Sequence, residues 1–121
     1  MKSLILLVLT LVSFVASASQ TAQLLSAKTT TGAGNSHSVQ SIEKTFQCAG
    51  RTTASTGSAT IKIQASNDAT LPWLDVATIT LTLGTTDTAD GFSSAAQWKF
   101  NRANVTAISG TGANVDCVMG Y

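Results

Sequence analysis

Few side chains in this sequence are of a type that does chemistry. Cys48 and Cys117 are its two cysteines. Their wide separation gives no CxxC redox or zinc spacing. In an oxidising compartment one pairing is open to them, a disulfide. Closing a loop of about 70 residues stabilises a chain by roughly 4 kcal/mol in the chain-entropy model. The alternative is two buried free thiols on adjacent strands. His37 is the single histidine. A nucleophilic triad needs a base oriented by further groups, and the flanking Ser36 and Ser38 do not make one. A metal needs several convergent ligands, which one histidine and a cysteine pair do not supply. His37 therefore reads as an exposed structural residue, and no metal or cofactor is expected.

The carboxylates offer little more. Asp87 and Asp90 precede Gly91, with Thr85, Thr86 and Thr88 as further oxygens. A weak extracellular calcium site uses such groups, but Asp90-Gly91 is also an ordinary turn signal, and the turn is preferred. Asp68 and Asp75 flank Trp73. These three are the candidate ligand-binding residues: Trp73 follows Pro72 at the start of a strand, where an indole can stack on a sugar ring. Two carboxylates make a glycosidase only at a defined separation across a cleft. Trp98 alternates with Phe100 and reads as core. Arg102, among apolar residues, reads as a structural arginine bonding carbonyls or a carboxylate. Asn104-Val105-Thr106 is an N-glycosylation sequon.

Strands must position these groups, because helical periodicity is nearly absent beyond the N-terminus. Ala22 to Thr30 is a first strand, and Thr31 to Asn35 a loop. Ser38 to Ala49 is a second strand with Ile42, Phe46 and Cys48 on one face. Ala49 to Ser58 reads as a loop. Ala59, Ile61, Ile63 and Ala65 alternate with Thr60, Lys62 and Gln64, which is the signature of a half-buried strand. Ser66-Asn67-Asp68 turns the chain. Trp73 to Leu83 is the longest expected strand, with Ala77, Ile79, Leu81 and Leu83 inward and a bulge near Trp73 to Val76. Gly84 to Gly91 reads as a loop. Ala96 to Ile108 changes face, which a bulge at Asn101-Arg102 would explain. Ser109 to Gly112 is a tight turn, and Ala113 to Met119 a last strand with Val115, Cys117 and Met119 inward. The expected fold is all-β, an antiparallel β-sandwich or small jelly roll of about six to eight strands.

The N-terminus has a different character. Lys2 precedes an apolar run, Leu4 to Val15, and then Ala16-Ser17-Ala18. That is the layout of a secretory signal peptide. Residues 1–18 are read as this signal, helical before cleavage, and residues 19–121 as a single β-sandwich domain of about the commonest domain size. The apolar run is shorter than the roughly 20 residues of a spanning helix, so no membrane segment is expected after cleavage. Losing Lys2 leaves basic and acidic residues equal, from seven and six in the whole chain. Nucleic-acid binding, which needs a concentrated basic surface, is excluded on that ground. Charged residues make up 11% of the chain, against about a quarter in ordinary soluble domains. Low net charge removes a barrier to self-association.

Three segments together carry a family likeness: Gly57 to Asp68 (GSATIKIQASND), Trp73 to Leu81 (WLDVATITL) and Trp98 to Ala113 (WKFNRANVTAISGTGA). They resemble small β-sandwich structural proteins of tailed phages, over roughly residues 57–120. The resemblance implies a virion component of decoration, neck or tail type, with capsid or tail proteins as partners and no catalytic residues. The secretory signal and the cysteine pair depart from that pattern. They favour a virus matured at the cell envelope, a host protein using the same fold, or a phage protein exported to the host surface. The expected function is thus a non-enzymatic structural protein, exported to the periplasm, the extracellular space or a virion surface and assembled there. The alternative is a secreted module binding surface glycan or another ligand through Trp73.

Overall fold

The computed structural model describes residues 20–39 and 43–121; residues 1–18, expected to be a signal, and Ile42 lie outside them. Among the described residues there is no helix. Nine strands run β1 (Thr21–Lys28), β2 (Gly32–Ala33), β3 (His37–Ser38), β4 (Lys44–Arg51), β5 (Ala54–Ser66), β6 (Leu74–Leu83), β7 (Thr88–Ser94), β8 (Phe100–Thr111) and β9 (Asn114–Gly120). They form two antiparallel sheets that do not close into a barrel. One has the order β1-β9-β4-β7, the other β2-β8-β5-β6, with the fragment β3 also paired to β8.

The pairing is nested. β1 pairs with β9, β2 and β3 with β8, β4 with β7, and β5 with β6. The chain therefore resembles one long hairpin, folded so that successive rungs fall on alternate sheets. Every inner face then meets the opposite layer. Leu24, Phe46, Val115 and Met119 from the first sheet pack with Ile61, Ile63, Ile79, Leu81 and Val105 from the second in one apolar cluster. Burying such side chains is the main favourable term in folding.

The clearest alternation in the sequence gives the clearest strand. Ala59, Ile61, Ile63 and Ala65 of β5 are fully buried. β5 lies between β8 and β6 and is the longest strand at 13 residues, longer than β6, which was expected to be the longest. Ile79, Leu81 and Leu83 face inward as expected. A register shift where Ile63 meets Ala77 and Gln64 meets Asp75 leaves Val76 as the extra residue, within the expected bulge segment.

The segment read as a loop from Ala49 to Ser58 is two strands joined by Thr52 and Thr53. Its small polar residues lack an alternating apolar signal, but its backbone is tied. Thr52 N–H donates to the Gly84 carbonyl (2.8 Å) and Thr53 N–H to that of Thr111 (2.9 Å). Gly57 matters here: a Cβ on it would lie 2.1 Å from the Ser109 carbonyl oxygen, so only glycine lets β5 and β8 approach this closely.

The expected loop from Gly84 to Gly91 ends early, because β7 begins at Thr88. Asp90 stands opposite Cys48, and Gly91 opposite Gln47. Gly91 is not a turn glycine; a Cβ there would come within 2.3 Å of the Phe46 carbonyl oxygen. The change of face in β8 comes from a shift between Val105 and Ala107, so the extra residue is Thr106 and not Asn101 or Arg102. Asn101, Ala103 and Val105 consequently share the inner face and are buried. Phe100 has the opposite parity, and Trp98 precedes the strand. Both are half-buried and neither belongs to the core cluster. Ser38 to Ala49 is not one strand: β3 and β4 join different sheets. The loop from Thr31 to Asn35 contains β2. The turn after β8 is made by Gly110 to Ala113, where Ala113 N–H donates to the Gly110 carbonyl (3.2 Å).

Cys48 and Cys117 are bonded to each other. They stand directly opposite on the paired strands β4 and β9. Their Cα atoms are 4.1 Å apart, the close spacing of an antiparallel pair that exchanges no backbone hydrogen bonds.

Among the described residues one charged side chain is buried. Lys44 is 1% exposed, and its Nζ donates to the Ala96 carbonyl (3.2 Å). Burial lowers its pKa from the ordinary 10.5. Between the folded and unfolded pKa values the unfolded chain binds more protons, so stability rises with pH across that window. Chemical denaturation from neutral to alkaline pH will show this rise in the wild type and a flatter profile in Lys44→Met.

Candidate functional site

The outer face of the second sheet carries a linked set of side chains. Gln64 on β5 stands opposite Asp75 on β6 and Arg102 on β8. Three strands thus place an acid, an amide and a base in one row, which no spacing along the chain reveals. Arg102 Nε donates to Gln64 Oε1 (2.8 Å). Gln64 Nε2 donates to Asp75 Oδ1 (2.8 Å). The two opposite charges are therefore coupled through a neutral amide, and both oxygen and nitrogen of Gln64 are used. Trp73 completes the set: the Arg102 guanidinium carbon lies 4.3 Å from its ring centroid, within cation–π range. Burial pushes the Arg102 pKa down, but from so high a starting value that the group stays charged.

This cover explains why an outward-facing stretch is buried. Gln64 is 8% and Ser66 3% exposed, although both have the outer parity of β5. Gln64 is held between Arg102 and Asp75, and Ser66 Oγ donates to the Asp68 carbonyl in the connection to β6 (2.5 Å). Lys99 N–H donates to Asn67 Oδ1 (3.3 Å), tying that connection to the segment before β8.

Of the expected ligand-binding residues, Trp73 and Asp75 are brought together with Gln64 and Arg102. Asp68 serves its own turn. It accepts from Thr70 N–H (2.9 Å) and the Thr70 hydroxyl (2.8 Å). These bonds, the backbone one foremost, hold its carboxyl below the usual carboxylate range, and the nearby Lys99 charge acts in the same direction. Gln64 is the member that sequence reasoning missed. Its polar parity on β5 was visible, but its partners follow only from the register.

The other candidates are dispersed. His37 joins the two sheets at their edge: its Nε2 lies 2.8 Å from the Gln23 carbonyl oxygen. A carbonyl only accepts, so Nε2 carries the proton. Asp90 Oδ1 accepts from Gly91 N–H (2.8 Å). Asp87 stands 4.0 Å from Arg51, both side chains well exposed, so this pair contributes little. Among the described residues no group of three His, Cys, Asp or Glu side chains is placed to hold a metal.

The Trp73 set offers a fixed cation, a carboxylate and an aromatic plane, which is the equipment of recognition and of local rigidity. Arg102→Ala removes both the cation–π contact and the Gln64 bond. The expected loss is about 1–2 kcal/mol, read by urea unfolding. In a Trp98→Phe background, where Trp73 is the sole indole, its emission should shift to the red.

No family model, curated protein or solved structure matches this chain.

Proposed function

We propose that this chain is an exported structural subunit without enzymatic activity, built into a virion or cell-surface assembly. The observation that carries this reading is the nested strand pairing. With β2 and β3 taken as one interrupted strand, the pairs wind as a double ribbon across two layers, the connectivity of a jelly roll. Viral capsid and lectin domains use that architecture. Fold alone does not fix function, but the surface agrees with it. Thr78, Thr80 and Thr82 line the outer face of β6 and are exposed. Polar, uncharged faces of this kind meet neighbours without desolvating ions.

Density-gradient fractionation of material from the native source tests the proposal. The chain should travel with particles or envelope fragments. Recovery wholly as free monomer would overturn it.

A second reading, recognition of a surface glycan, rests on the half-buried Trp73 beside Asp75 and Arg102. A glycan array should then show binding that Trp73→Ala abolishes; a blank array removes this reading.

A further inference from the structure

The two sheets have four edges, and the chain treats them unequally. β1 is irregular: its pairing with β9 shifts twice, Ala27 adopts φ 44°, and the Ala27 N–H is taken by Asp116 Oδ1 (2.8 Å). β2 and β3 are fragments of two residues each. β7 contains Asp90 and Gly91 in its middle. Short strands, bulges, charges and glycines are the devices that keep sheet edges from pairing with another chain.

β6 has almost none of them. It runs for 10 residues, LDVATITLTL, without lysine, arginine, proline or glycine. Its one charge, Asp75, is turned to Gln64. Its single irregularity is Val76. Among the described residues β6 pairs with β5 alone; beyond that pairing the Thr82 carbonyl accepts from the Thr88 hydroxyl (3.1 Å), and the edge from Leu74 to Leu81 is left without a strand partner. The exposed large apolar side chains gather at the same place: Leu71 is 56%, Leu74 52% and Val76 39% exposed.

We propose that the open edge of β6 joins a second copy of this chain, the two β6 strands pairing antiparallel about a two-fold axis so that two five-stranded sheets become one. The composition of the edge selects that occupant. An isologous contact sets a strand against itself, which any like charge near the axis would penalise. With the axis near Ile79, Thr78 of each copy, whose hydroxyl accepts from Lys62 Nζ of the same copy on the outer face (2.8 Å), stands beside Thr80 of the other, a cross-strand threonine pair. The two Asp75 carboxylates fall at opposite ends, about 26 Å apart, beyond a Debye length. Val76 of one copy lies beside Thr82 of the other, so the contact covers apolar surface otherwise left in water. This inference rests on the assembly reading above and names the contact within it.

Sedimentation of the purified mature chain, over a concentration series, tests it with Thr80→Lys and Val76→Lys. Both positions are exposed, so the variants should fold, which thermal melts will verify. The wild type should self-associate, and each lysine should weaken association at least about tenfold. Hydrogen exchange should show β6 amides gaining protection with concentration, while β1 and β7 amides do not. Wild-type association with both variants assembling equally well would overturn the β6 contact and leave the assembly reading standing. A wild type that stays monomeric at every concentration would overturn the self-pairing, and particle fractionation would then decide the assembly reading separately.

Discussion

Removing the Cys48–Cys117 bridge should cost about 4 kcal/mol of stability. The two cysteines are 69 positions apart, so the bridge closes most of the domain into one loop and strips that freedom from the unfolded chain. A domain of this size has about 5–15 kcal/mol to lose. The Cys48→Ala/Cys117→Ala double variant should therefore melt about 20 °C lower, as should the wild type in reductant. Circular dichroism melts read both. The bridge joins residues that are already paired in register on β4 and β9, so the reduced protein keeps its fold while losing its margin. An unchanged melt would show that the reduced chain is constrained by other means. The pH dependence of the Lys44 interior is separate from this effect, because the disulfide does not titrate.

The second large effect is expected at Ile63. This side chain is fully buried on the strand flanked by β8 and β6, where neither neighbour can collapse inward without breaking its own register. Ile63→Ala should cost about 3–4 kcal/mol, the transfer term plus the cavity left behind. Thr78→Ala on the exposed outer face is the control. It removes the hydroxyl that accepts from Lys62 Nζ (2.8 Å), an exposed contact worth no more than about 0.5 kcal/mol. Urea unfolding of both variants should separate them clearly. A comparable loss at both positions would mean that the two faces of β5 and β6 are not inside and outside as described.

Where burial is one-sided, the sequence carries this architecture openly. Ala59 to Ala65 and Val115 to Met119 alternate because one face meets the core and the other does not, and with only two cysteines in the chain one pairing is open to them. β7 escapes such a reading. Thr-Ala-Asp-Gly-Phe-Ser-Ser has the residues of a turn, and it is a strand because β4 offers it a backbone partner and Gly91 clears the Phe46 carbonyl. The position of the β8 bulge escapes as well, since parity shows that a face changes but not which residue is extra. Trp98 reads as core because it alternates with Phe100, yet the parity set by Asn101 and Ala103 places Phe100 outside the core. The candidate site was half legible. Trp73 and Asp75 stand close together in the chain, whereas Gln64 and Arg102 reach them through two strand registers. The unprotected edge of β6 needed the complete strand order, because an edge is a property of the sheet and not of the segment.

As proposed, this domain is a building unit of a surface assembly. Immunogold electron microscopy of native particles or envelopes, with antibody raised against the folded domain, tests it most directly. Regular labelling over the outer surface of the particles is expected. Labelling confined to soluble material, with bare particles beside it, would show that the domain is not part of such an assembly.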